Sequence, residues 1–437
     1  MAIIQSDHGK GEWIMAKNTG AAKVAVVMLM VTLTGCGKIT GYKEYEVLQG
    51  AAGDSVYANY EQLSYKEKIE DNGYRKFIFD YSSECFKDSE ENILISPASV
   101  FFVMEMFGAG ARGETLDEIN SVLVPNTSNE EALAFAVDYY NSMISEDPDV
   151  FKSVNCACIN DDFDGGFYQE YLDFAGEKMG AEIMVAPFNF VTVNNINNWA
   201  SNKTDKMITK VIDELDSRED VCVLVNAMSF NARWEREYDD DAILKKQIFT
   251  NSKGKKEKVT MLYSKEDSLI YTDKAIGFMK SYEGCKYAFL ALLPTDETLS
   301  GNEFLSLFSY DDYIDVLEHN SYFPSEVYIP EFSYDYSNEE IVSIMRELGI
   351  DKAFSEGGAD FGNMTDEDIF ISNIVQMTHI EVDREGTKAA VVTEGRAVSR
   401  GAEPDPVEIR LDRPFAYMIV DTETMTPIFI GSVNSIG

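Results

Sequence analysis

Histidine is almost missing from this chain: three of 437 residues, with only His319 and His379 beyond the first 35 positions. There is no His-Glu-x-x-His, no Gly-x-Ser-x-Gly, no phosphate-cradling glycine-rich loop and no Cys-x-x-Cys. Metalloproteases, α/β-hydrolases, nucleotide-binding loops and dithiol redox enzymes each need one of these, because their chemistry depends on those groups at that spacing. His379 lies between Thr378 and Ile380 in a strand-like run and reads as structural; His319 closes Leu317-Glu318-His319-Asn320, an exposed helix end. Carboxylates are too numerous for any pair to stand out as acid and base. No catalytic constellation, cofactor motif or metal-ligand cluster emerges, so an enzyme has no positive support.

Positive charge is also scarce. Lys plus Arg number 37 against 76 Asp plus Glu, a formal charge of −39. That balance argues against nucleic acid and anionic membrane surfaces as electrostatic partners. It fits a solvated surface with a long-range pull on basic partners, which salt would screen. Beyond Cys36 the cysteines are Cys85, Cys156, Cys158, Cys222 and Cys285, odd in number and irregularly spaced, so no disulfide framework is implied. Most read as small buried hydrophobes. Cys156-Ala157-Cys158 would be half of a metal or redox site, but no second ligand pair accompanies it.

The apolar run Val24 to Thr34 is too short to span a bilayer as a mature helix. It follows Lys17 and Lys23 and ends in Leu33-Thr34-Gly35-Cys36, the order of a secretory signal. The segment resembles a bacterial lipoprotein signal, which implies removal of residues 1–35, a lipidated Cys36 and an extracytoplasmic, membrane-anchored or secreted protein. An ordinary secretory signal or an anchor helix with a free cysteine are the alternatives, and Met15 is a second candidate start. Residues 36–71, rich in Gly, Ser, Tyr and charge, read as a tether to a domain at 72–437.

Within that domain, Tyr74 to Cys85 has helical apolar spacing. Asn92-Ile93-Leu94-Ile95-Ser96-Pro97 reads as a short strand entering a helix, with Pro97 in its first turn. Ser99 to Phe107 is nearly all apolar and therefore a buried helix. Asn195 to Leu215 contains a helix with Trp199. Val221 to Phe230 and Tyr287 to Leu293 read as buried central strands. Val327 to Phe332 reads as a strand, and Phe415 to Val420 and Ile428 to Ile430 as a closing pair. Helices dominate the first half and strands the second, with no internal repeat: an α+β domain.

Near the C-terminus, Ile380-Glu381-Val382-Asp383 runs into Arg384-Glu385-Gly386-Thr387-Lys388-Ala389-Ala390-Val391-Val392-Thr393. As a strand, one face would carry Thr387, Ala389, Val391, Thr393, Gly395, Ala397 and Ser399, all small and neutral. The other would carry Lys388, Ala390, Val392, Glu394, Arg396, Val398 and Arg400. Such sorting suits a strand with one face in a core. Yet Gly401-Ala402-Glu403-Pro404-Asp405-Pro406 reads as exposed loop. A segment patterned for a sheet runs into a loop.

In order along the chain, these pieces resemble the serpin family. The matching motifs are Asn92 to Ser99, Gly110-Ala111-Arg112-Gly113-Glu114-Thr115, Val225-Asn226-Ala227 leading to Phe230 and Trp234, and Ile329-Pro330-Glu331-Phe332. Leu348-Gly349-Ile350 to Phe354, Glu385 to Ala390 and Asp412-Arg413-Pro414-Phe415 complete the series. The resemblance implies three β-sheets, eight or nine helices, a monomer without cofactor, and an exposed reactive loop at about 384–409. It also implies suicide inhibition of a serine protease, in which the loop is cut, an acyl-enzyme forms, and the loop enters the central sheet as a new strand.

Counting from the hinge glycine, Gly386, as inhibitory members do, the scissile bond is Arg400–Gly401, which suits a trypsin-like enzyme. Arg396, or Ala397-Val398 for an elastase-like enzyme, is the alternative bait. The hinge is Glu385 to Thr393. Val391 and Val392 depart from the family's alanines, and their bulk would slow insertion. Ser96, Ser99 and Asn226 match the hydrogen-bonded shutter beneath the sheet, with Gln376 where the family has histidine, and Trp234 matches the breach. A non-inhibitory binding or scaffold serpin is the competing expectation, and a cysteine-protease inhibitor would use the same loop.

Overall fold

The structure, a computed structural model, describes residues 72–146, 150–163, 165–215, 221–386 and 405–436, together with 47–48 and 69. Among these residues there are nine α-helices and three β-sheets, plus a two-stranded parallel contact of Val47–Leu48 with Phe167–Tyr168.

The central sheet has five strands in the order Phe332–Asn338, Gln376–Val382, Cys222–Phe230, Phe151–Asn160 and Ala181–Ala186. A seven-stranded sheet is built around Tyr287–Pro294, Phe415–Asp421 and Thr426–Val433, in which every residue is buried. Such fully apolar runs form strands covered on both faces. A four-stranded sheet runs Val407–Arg410, Ser325–Pro330, Lys256–Glu266 and Ile243–Thr250. Residues 407 to 409, counted with the loop in the sequence, thus begin a strand parallel to Ser325–Tyr328.

Helix Pro97–Gly110 is buried along its whole length and packs between Cys222–Phe230 and Thr426–Val433. It extends through Gly108 and Gly110, beyond the Ser99 to Phe107 run read as helix from sequence, because burial on all sides outweighs the roughly 1 kcal/mol cost of helical glycine. Its start is fixed by the Ser96 hydroxyl, which accepts from Ser99 N at 3.3 Å, and by Pro97 in the first turn.

On the opposite face of the central sheet lies helix Phe190–Lys203, capped by Asn189, whose side chain accepts from Val191 N and Thr192 N. It begins before Asn195, where the sequence placed it; its inward residues Val193, Ile196 and Ala200 cover Cys156, Cys158, Val225 and Ala227. Cys85, Cys156 and Cys158 are buried as expected, whereas Cys285 is exposed.

One strand reading needs correction. Val327 to Phe332 is not one strand: Ser325–Pro330 belongs to the four-stranded sheet and Phe332–Asn338 to the central one. The chain changes sheets at Glu331, whose N–H donates to Thr260 O at 2.9 Å. Pro330, lacking an N–H, cannot continue a ladder on both sides.

Candidate functional site: a cleft in the central sheet

The sheet's weakest junction is its parallel contact between Gln376–Val382 and Cys222–Phe230. Only Gln376↔Asn226 and Met377↔Ala227 pair there, although both strands continue. On their outer sides the same strands are fully laddered, to Phe332–Asn338 and to Phe151–Asn160. Two parallel strands parted in this way can receive one antiparallel strand, which would bond to both.

At the open end the chain leaves Val382 and turns back. Gly386 forms antiparallel bridges with Asp383 on one side and Arg233 on the other. The turn is held by Asp383, whose Oδ1 accepts from Glu385 N at 2.8 Å and Gly386 N at 3.1 Å, the local bonding that makes Asp a turn residue. Gly386 has φ +117°, and a Cβ there would lie 2.5 Å from Arg233 Cα and 2.6 Å from Trp234 N. Both its torsion and its closeness to backbone require glycine.

Trp234 closes this end. Buried, it stacks on Tyr282 at 4.6 Å and 8°, and its Nε1 donates to Asp383 O at 3.0 Å. Beneath the rings lies Lys280, 2% exposed, with Nζ 5.4 Å from the Trp234 ring, 4.7 Å from the Tyr238 ring and 2.7 Å from Glu266 Oε1. Burial pulls this ammonium below the ordinary lysine range, and Glu266 opposes that shift. The indole therefore ties the turn to a packed aromatic–cation cluster.

The closed end is a polar network under helix Pro97–Gly110. Gln376 Oε1 accepts from Ser96 N at 3.0 Å and its Nε2 donates to Ser96 O at 2.8 Å. The Ser99 hydroxyl donates to Asn226 Oδ1, and Asn226 Nδ2 donates to Asn155 Oδ1 at 2.7 Å. Asn155 Nδ2 in turn reaches Met179 O at 2.6 Å, and Thr378 Oγ1 donates to Leu94 O at 2.7 Å. Ser96, Ser99, Asn226, Gln376 and Asn155 are all buried, so these bonds satisfy groups that would otherwise be costly. The helix start thus clasps both strands of the junction.

Ser96, Ser99, Asn226 and Gln376 come together at one end of the cleft, and Glu385, Gly386 and Trp234 at the other. Thr387, Lys388, Ala389, Ala390, Val391, Val392, Thr393, Arg400, Gly401 and Cys36 lie outside the described residues. Asn155, Thr378, Asp383, Tyr282 and Lys280 were not singled out from sequence. Of these only Asp383, as Asp-x-x-Gly, carried a local turn signal.

Residues 72–436 match the family profile described as "Serpin (serine protease inhibitor)". An uncharacterised serpin-like protein of Methanosarcina acetivorans is 28% identical over 371 residues, covering 82% of this chain and 84% of that protein. Iripin-2 of the tick Ixodes ricinus is 27% identical over 367 residues, covering 79% and 88%. Among solved structures, the native state of the thermophilic serpin tengpin superimposes with a TM-score of 0.75 at 30% identity, covering 86% of this chain and 96% of that one. The chain belongs to the serpin family, whose members are generally protease inhibitors rather than enzymes.

Proposed function

We propose that this protein is an inhibitory serpin that traps trypsin-like serine proteases: cleavage after Arg400 is followed by entry of the segment from Thr387 into the central sheet. One observation carries this reading, the register set by the two bridges at Gly386. Extending Asp383↔Gly386 along Gln376–Val382 aligns Thr387 with Val382, Ala389 with Ile380, Val391 with Thr378 and Thr393 with Gln376. Extending Arg233↔Gly386 down the other strand aligns Ala389 with Phe230, Val391 with Met228 and Thr393 with Asn226. Gln376 and Asn226 are already partners, so the two ladders meet at one residue.

In this register Val382, Ile380, Thr378, Gln376, Phe230, Met228 and Asn226 are all buried. Thr387, Ala389, Val391 and Thr393 fall against these buried residues, while Lys388 falls beside exposed Glu381. A charge at a buried position would cost several kcal/mol. The ladder ends at Ala397 beside Cys222, the first residue of its strand, and Arg400 follows just beyond. From Gly386 to Arg400 the fully inserted strand would span about 46 Å, enough to carry an acylated protease from one end of the sheet to the other.

The test is to mix trypsin with the purified protein. An SDS-stable covalent complex and a new N-terminus at Gly401 are expected, and the cleaved protein should melt far above the intact one. Cleavage without a complex favours the non-inhibitory reading. The observation behind that alternative is Val391, which must fit between buried Thr378 and Met228. Anchoring through a lipidated Cys36 belongs to the same proposal, and mass spectrometry of the membrane-extracted protein tests it.

A further inference from the structure

Seven of the chain's 37 basic residues fall between positions 245 and 265, with Glu257 as the only acidic residue among them, in a protein of net charge −39. They lie on the hairpin Ile243–Thr250 and Lys256–Glu266. Lys253, Lys255 and Lys265 pair with Glu90, Glu257 and Glu326. Lys245, Lys246, Lys256 and Lys258 are exposed and make no salt bridge to a described residue. Lys256 and Lys258 alternate with buried Glu257 and Val259, so both stand on the outer face. There Ile248, opposite Lys258, is 43% exposed.

Edge protection explains Lys245 and Lys246, since Ile243–Thr250 is the sheet's edge strand and lysine there blocks pairing with another chain. Lys256 and Lys258 stand on the neighbouring strand, in the stretch before Met261 where it pairs with Ile243–Thr250 but not with Ser325–Pro330, and their side chains rise from the outer face beside exposed Ile248. Both ends of the hairpin's outer strand are tied to a stem of the reactive loop. Arg384 Nη2 pairs with Asp240 Oδ1 at 2.9 Å, and Tyr238 N donates to Arg384 O at 3.3 Å, just before the strand begins. At its far end Thr250 N donates to Asp412 O at 2.8 Å, just after the re-entering strand Val407–Arg410.

We propose that this lysine face is a docking surface for an acidic patch on the protease that attacks the loop; the proposal rests on the inhibitory reading above. A specific interface buries about 800 Å² per partner, a patch roughly 30 Å across. A protease seated on a loop with those two stems therefore extends over the hairpin. An extended polyanion fits less well, because it would run off the lysines onto a strongly acidic surface. Exposed Ile248 among the lysines gives a protein partner an apolar contact.

The experiment uses the full chain and the double variant Lys256→Glu, Lys258→Glu. The probes are anionic and cationic trypsin, each with its active-site serine replaced by alanine, so that binding is read without cleavage or trapping. At about 50 mM salt the variant should bind anionic trypsin about tenfold more weakly than the parent, with the difference closing at about 500 mM. Cationic trypsin should lose nothing. Equal affinity of parent and variant for anionic trypsin overturns the proposal, as does no binding by the parent. Variant-sensitive retention on dextran sulfate with unchanged trypsin binding assigns the face to a polyanion and also overturns it. An unchanged melting temperature shows that the variant is folded. Because these probes cannot be trapped, failure of covalent inhibition and failure of docking are read separately.

Discussion

Gln376 and Asn226 face one another across the parallel junction of the central sheet, and one residue further on, after Met377 and Ala227, pairing stops. Gln376 holds both the N–H and the C=O of Ser96, while Asn226 is held by Ser99 and Asn155. Separating these strands breaks buried hydrogen bonds on both sides, so the pair sets the resistance to opening. Gln376→Ala would leave the buried Ser96 N–H without a partner and take from the Ser96 carbonyl the stronger of its two bonds, since that oxygen also accepts from Val100 N at 3.4 Å, a loss of about 2 kcal/mol. The melting temperature of the intact protein should fall by several degrees. An unchanged melt would show that Gln376 does not hold the junction.

The hinge turn depends on a single torsion. Gly386→Val would place a branched side chain at φ +117° with its Cβ against the backbone of Arg233 and Trp234. The bridges at Gly386 should be lost while the bait remains cleavable. The expected result is cleavage by trypsin at close to the parent rate with little or no covalent complex, read by SDS gel. A normal complex yield would mean that insertion does not start at this turn.

Much of this site was readable because it is local. Gly386 and the alternation after it sit in one short stretch, and Ser96 followed by Pro97 is a helix start by capping chemistry alone. Asn155 and Thr378 were not readable. Asn155 acts through Asn226, 71 positions away, and Thr378 through Leu94, 284 positions away, and no spacing rule reaches that far. Lys280 reads as a surface lysine until Trp234 and Tyr238 are seen to cover it. The change of sheet at Glu331 was hidden because the strands on either side of it share one β-rich pattern.

Register makes a sharp contrast between two substitutions in the same loop. Thr393→Asp would bring a carboxylate between Gln376 and Asn226, each 3% exposed. Lys388→Asp would lie beside Glu381 on the exposed side, where a like-charge contact costs about 0.5 kcal/mol. The first should turn the protein into a substrate, cut with almost no complex, and the second should leave most of the complex intact. Stoichiometry of inhibition measures both. Equal effects would refute the register.

Glu105 offers a test by pH. It lies inside helix Pro97–Gly110, 1% exposed, and its Oε1 has no hydrogen-bond partner among the described residues. Burial raises its pKa from 4.5 to about 8. The folded state therefore keeps a proton that the unfolded chain releases near pH 4.5. Its stabilising contribution is complete below that pH and declines by about 1.4 kcal/mol per unit until pH rises through about 8. Glu105→Gln keeps the shape and removes the titration. The melting temperature of the variant relative to the parent should thus climb between pH 5 and 8 and level off above, with the variant the more stable at pH 9. A constant difference across that range would mean that Glu105 does not titrate in the folded protein.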